Sequence, residues 1–144
     1  MNKIFIALAL AALCFVGQTS LAAHSVAGEK FRLLNMVGLA SDGRGNLYSA
    51  DGLTGDVYVI PPDMKPVLLG QIQGTPSFVA VDRMRRVFVA DKGGDVHAIQ
   101  LDGGVRVIHS AGTRPVGLSV DRDGDLRLAL QDGGIARIPR ESFE

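Results

Sequence analysis

Residues 78–99, FVAVDRMRRVFVADKGGDVHAI, decide how this chain is read. An apolar run ends at Asp82, a short polar turn follows, and Val87-Phe88-Val89-Ala90-Asp91 restores the apolar character. A Gly-Gly turn then leads into Val96-His97-Ala98-Ile99. Short apolar runs bounded by turn residues predict strands joined by tight turns, here three of them. The same text stands before it at residues 38–60 (GLASDGRGNLYSADGLTGDVYVI) and after it at residues 117–138 (GLSVDRDGDLRLALQDGGIARI). Asp42, Asp82 and Asp121 anchor the three copies, at spacings of 40 and 39 residues.

Working outward, each copy has a further short apolar run in front of it, at residues 31–34, 67–69 and 105–108. Each repeat therefore carries four strands: an inner one, two middle ones and an outer one. A period of about 40 residues with four antiparallel strands per unit predicts propeller-type blades. The expected fold is all-β: three four-stranded antiparallel blades, with repeats at about residues 36–74, 75–113 and 114–140. Glycines in the turns 43–45 and 122–124 suit hairpin positions that want positive φ. Pro61-Pro62 stops the first repeat's third strand, because proline donates nothing to a ladder.

Three blades are too few for a closed ring, so two arrangements are open: an arc with protected ends, or half of a six-bladed dimeric ring. The chain is accordingly a monomer or a homodimer. The swaps between repeats favour the arc. Phe88 and Val89 are apolar on both faces of the middle repeat, whereas the matching pairs are Tyr48 and Ser49 in the first and Arg127 and Leu128 in the third. One polar face on each terminal repeat is what an open stack requires.

The 144 residues hold 15 basic and 15 acidic side chains, so no basic field is present to attract nucleic acid. Lys3, an apolar stretch of 13 residues at 4–16 and Ser20-Leu21-Ala22 read as an export signal over residues 1–22, ahead of a β domain at 23–144. A periplasmic or secreted protein with no membrane span is expected. Cys14, the single cysteine, leaves with the signal, which removes disulfides, thiol nucleophiles and cysteine metal sites.

The texts PVGLSVDRDGDL at 115–126 and GNLYSAD at 45–51 resemble the repeats of NHL, SMP-30/gluconolactonase and virginiamycin-lyase-type propellers. That resemblance implies the fold over about residues 31–140, and for function it implies a metal-dependent lactonase, esterase or lyase as one alternative. In size and export signal the chain also resembles periplasmic immunity proteins that neutralise peptidoglycan amidases of type VI secretion. This second resemblance implies a non-enzymatic inhibitor whose blade-top loop plugs a secreted amidase. Non-enzymatic binding is the preferred reading, with no catalytic residue, no metal and no cofactor expected.

The outer-to-inner loops and the second-to-third loops share one end of each blade, and recognition is expected there. The candidate partner-binding residues are His109, Ser110, Thr113, Arg114, Asp91 and Lys92. Asp51, Asp91 and Asp132 could ring a divalent cation, but each follows a strand into a glycine turn, and turn capping is the preferred reading. Residues 121–125 (DRDGD) superficially match a calcium loop but lack the downstream bidentate glutamate, so hairpin chemistry is preferred there too.

Overall fold

The computed structural model describes residues 35–144. The expected export signal and the strand at 31–34 lie outside the described residues. Eleven strands follow in order: β1 (Met36–Ser41), β2 (Leu47–Asp51), β3 (Asp56–Ile60), β4 (Val67–Gln71), β5 (Pro76–Val81), β6 (Val87–Asp91), β7 (Asp95–Ile99), β8 (Val105–Ser110), β9 (Pro115–Val120), β10 (Leu126–Leu130) and β11 (Ile135–Ile138). They form three antiparallel sheets, β1-β2-β3-β4, β5-β6-β7-β8 and β9-β10-β11. These are propeller blades that do not close into a ring. Among the described residues the third blade has three strands, and a 3-10 turn at Arg140–Ser142 ends the chain.

Side chains alternate across a strand, so a strand buried on both faces must be apolar throughout. That is what β6 shows from Val87 to Ala90, all buried, while its last residue, the buried Asp91, has its carboxylate satisfied by backbone N–H groups. Val87, Val89 and Ile99 pack towards the first blade against Tyr48, Ala50 and Val57. Phe88, Ala90, Val96 and Ala98 pack towards the third against Leu126, Leu128 and Ile138. Each such large side chain contributes about 1.5–3 kcal/mol by leaving water. On the third blade's far face Arg127, Arg137 and Ile135 are exposed, as an end repeat should have them.

One expectation is corrected. Ser49 does not give the first blade a water-facing side, for it is fully buried. Its hydroxyl donates to the Gly38 carbonyl at 2.8 Å, which satisfies the polar atom without solvent. The acceptor is free because β1 is irregular between Val37 and Ala40, and Gly38 there takes a φ of 65°.

The three anchor aspartates do one job. Asp42 Oδ1 accepts the N–H groups of Arg44 and Asn46, Asp82 Oδ1 those of Met84 and Arg86, and Asp121 Oδ1 those of Asp123 and Asp125. The second oxygen holds a side chain that differs by repeat: Asn46, Arg86 or Arg127. The hairpin reading of residues 121–125 therefore stands. Asp125 itself is buried and accepts from Arg137 and from the Arg140 N–H. In the last position of these turns Gly45 and Gly124 adopt φ of 89° and 90°, and the middle blade puts Arg85 there at 64°. An L-residue in this region is strained by about 1–2 kcal/mol.

Phe143 received no role in the sequence reading. It is buried, meets Phe88 edge-on with centroids 4.9 Å apart, and lies under the Arg86 guanidinium at 5.0 Å. Asp82, Arg86, Phe143 and Phe88 thus form one column that fastens the end of the chain to the middle blade.

Three outcomes follow from this packing. Phe143→Ala should destabilise the protein by about 3 kcal/mol or more in urea unfolding, through lost burial and a residual cavity. Arg85→Gly should raise the urea midpoint, by about 0.5–1 kcal/mol of stability, because glycine takes the left-handed conformation without strain. The third outcome concerns pH. The Asn46 amide holds the Asp42 carboxyl below the usual carboxylate range. The Arg140 N–H and the Arg137 guanidinium do the same for Asp125. At Asp121 partial desolvation pushes upward, but Arg127 and two backbone N–H groups outweigh it and the net direction is down. A carboxyl lowered in the folded state stabilises the fold above its unfolded pKa and loses that contribution as pH falls through the folded value. The melting temperature should therefore be level from about pH 7 to pH 5 and drop below about pH 4, less steeply in Asp121→Asn. A melting temperature that rises on acidification would contradict this.

Candidate functional site

At the upper end of the blades the repeats superpose their connections. The N–H of Gly52, Lys92 and Gln131 donates to the carbonyl of Asn35, Thr75 and Arg114 respectively, at 2.8, 2.8 and 2.9 Å. The backbone is thus repeated while the side chains on it differ in all three blades.

The inner strands meet this end through β-bulges. Pro76 pairs with Asp91 and Phe78 with Ala90, so Ser77 is the extra residue of β5. Pro115 pairs with Leu130 and Gly117 with Ala129, so Val116 is the extra residue of β9. A bulge re-aims the unpaired side chain. Both bulged residues line one cleft of about 430 Å³ at the inner edge of the blades. Val37, Phe78 and Val116 form its apolar wall, and Ser77, Lys92, Arg114 and Gln131 supply its polar groups.

The cleft is built from donors. Lys92 and Arg114 are exposed, and among the described residues neither takes part in an ion pair. The Ser77 hydroxyl is buried without a hydrogen-bond partner among the described residues. Such an atom costs about 1–3 kcal/mol unless something bonds to it. No carboxylate and no imidazole lines the cleft. Its chemistry is that of an anion receptor with an apolar wall, and its residues are a poor set for a divalent cation.

Of the six residues singled out from sequence, the cleft brings together Lys92 and Arg114. Asp91 is buried and does not line the cleft. Its Oδ1 accepts the N–H groups of Gly93, Gly94 and Asp95 at 2.8, 3.0 and 3.0 Å, and its Oδ2 lies 3.0 Å from His97 Nε2. Asp51 Oδ1 accepts from Leu53 and Thr54, and Asp132 Oδ1 accepts from Gly134, so capping is the observed role of all three turn aspartates. Thr113 is half-buried, and its carbonyl covers Gly94 so closely that a Cβ there would stand 2.6 Å away. His109 and Ser110 are the last residues of β8, paired with Val96 and Asp95 at the blade's outer edge. The strand runs two residues past its apolar stretch because β7 offers ladder partners that far.

Ser77 and Gln131 were missed. A signal for Ser77 did exist. Counted from the anchor aspartates it stands where the other repeats have Val37 and Val116, a small polar residue in an otherwise apolar inner strand. Gln131 carries no comparable signal, since its position differs in every repeat.

No protein-family model matches the sequence. No curated protein matches it either. Solved structures do match in fold. A catalytically inactive virginiamycin B lyase from Staphylococcus aureus with quinupristin is 16% identical at a TM-score of 0.59, over 76% of this chain and 44% of that one. A gluconolactonase from Xanthomonas campestris is 20% identical at 0.59, over 74% of this chain and 44% of that one. A chain of a nidogen/laminin complex is 19% identical at 0.55, over 71% of this chain and 47% of that one. The chain spans less than half the length of these structures. At such identities the likeness establishes the architecture: the described domain is a β-propeller segment, similar in fold to the lyase and gluconolactonase propellers.

Proposed function

We propose that the protein acts through the cleft at the inner edge of its blades, and that it binds there an organic anion, a carboxylate carried on an apolar body. The observation that carries this is the buried Ser77 hydroxyl lining the same cleft as the cations of Lys92 and Arg114, the first without a hydrogen-bond partner and the other two without an ion pair among the described residues. Lys92 and Arg114 attract the negative charge, Arg114 can hold both oxygens of a carboxylate at once, and the hydroxyl donates the remaining bond. The wall of Val37, Phe78 and Val116 takes the apolar part.

A second reading is favoured by the comparisons. Two of the similar structures named above are enzymes, a lyase and a gluconolactonase, so the bound molecule is a substrate under that reading. The lining residues offer no general base beside Ser77, and this keeps simple binding as the first choice. The expected peptidoglycan amidase partner gains no support from these similar structures.

A thermal-shift screen should separate the readings. Carboxylates should raise the melting temperature while their methyl esters do not, and Lys92→Glu with Arg114→Glu should abolish the shift. Lack of any anion effect, or an effect that survives both charge reversals, would sink the proposal. Hits offered again as lactones or esters test for turnover, which would establish the enzymatic version. Ser77→Val, the residue type of the other two repeats, should stabilise the free protein by about 1 kcal/mol and weaken carboxylate binding. Unchanged binding in that variant would remove Ser77 from the site.

A further inference from the structure

A second cleft, of about 270 Å³, opens on the outer side of the first and second blades. Asp95 and His97 line it, together with Gln71, Gln73 and Arg106. It shares no residue with the inner cleft. Asp91 does not line this cleft, but one donor atom each of Asp91, Asp95 and His97 lie within 4.8 Å of one another.

We infer that Asp91, Asp95 and His97 form a binding site for a divalent transition-metal ion, reached through the outer cleft. The first ground is geometric. Asp91 Oδ2 and His97 Nε2 are 3.0 Å apart, a hydrogen-bond distance that is also the edge between adjacent ligands of an octahedral ion with bonds of about 2.1 Å. Both side chains are held in advance: His97 is 2% exposed, and Asp91 Oδ1 is fixed by three backbone N–H groups. The backbone at Gly74 closes over Asp91 so tightly that a Cβ there would stand 2.4 Å from Oδ2.

The second ground is electrostatic. The Asp95 carboxylate receives no hydrogen bond from a described residue, and Arg106 pairs with neither aspartate. No described lysine or arginine pairs with either carboxylate, and a positive charge placed between them would be attracted by both. A divalent cation supplies that charge and leaves coordination positions facing the cleft for water. One nitrogen and two carboxylate oxygens suit zinc, cobalt or manganese better than calcium, which takes oxygens alone.

The third ground is the comparison between repeats. The first blade has Asp51, Asp56 and Tyr58 at these positions, with the tyrosine hydroxyl turned to Asp56. The third has Leu130, Gly134 and Ala136. The middle blade alone has three ligating side chains, so the repeat does not require them for its fold. The site stands independently of what the inner cleft binds.

The test is calorimetric titration of the chelator-treated, desalted protein with Zn²⁺, paired with Co²⁺ absorption. One saturable equivalent and visible Co²⁺ bands of a nitrogen- and oxygen-ligated site are expected. Asp95→Asn, which removes a charge but no hydrogen bond, should weaken Zn²⁺ binding about tenfold or more while leaving the metal-free melting temperature unchanged. His97→Gln should abolish the Co²⁺ bands. Absence of saturable Zn²⁺ binding would overturn the inference and leave the Asp91–His97 hydrogen bond as a turn fastener only. So would a wild-type affinity in Asp95→Asn. If that variant does not fold, a wild-type Co²⁺ spectrum without a bound imidazole is equally decisive against the site.

Discussion

Burial of the middle sheet on both faces is the constraint from which the rest of the structure follows. A lone four-stranded sheet leaves both faces to water, and β6 has no polar face to turn outward. It needs a neighbour on each side. The first and third blades meet that need with separate clusters, one around Tyr48 and Val57 and one around Leu126 and Leu128. Because both clusters share β6 and β7, loosening either one exposes the same strands. Blade stacking therefore acts as a cooperative unit, although each blade is stitched only to its neighbours.

The ends of the blades divide the labour. At the lower end the turn chemistry is repeated almost without change, because an aspartate that takes two backbone N–H groups is the simplest way to hold a tight turn. The middle turn departs from this by carrying Arg85 in a glycine conformation. Nothing in the structure explains that choice of residue. At the upper end the backbone bonds are repeated but the side chains are not, and both clefts lie where the repeats diverge. Variation held on a constant frame is where recognition is found in repeat proteins.

The architecture was legible in the sequence because its determinants are periodic. Alternating apolar residues, the aspartate spacing and the turn glycines recur three times, so each copy corroborates the others. The site was legible only in part. Lys92 and Arg114 could be placed at the correct end from loop order alone. Ser77 stood out as the polar exception to Val37 and Val116, but its entry into the cleft could not be read, since a bulge shifts which side of a strand a residue faces. Ser49 misled for a related reason: a serine in a strand suggests water, and the carbonyl freed at Gly38 that buries it is a matter of tertiary geometry. Phe143 lies beyond the last repeat, so no copy existed against which to weigh it. The closeness of Asp91, Asp95 and His97 depends on a turn that folds one strand end beside the next, while the spacing alone reads as ordinary strand and loop.

The bulges at Ser77 and Val116 have a bearing on how such a protein changes over time. A residue in register is tied to a cross-strand partner, so altering it disturbs the blade and its neighbour together. A bulged residue has no such partner. Its side chain can be exchanged with little effect on sheet pairing, as the valine and serine in equivalent blades already illustrate. The inner cleft is thus lined in part at points where mutation is nearly uncoupled from sheet pairing, and its chemistry can drift while the scaffold stays fixed.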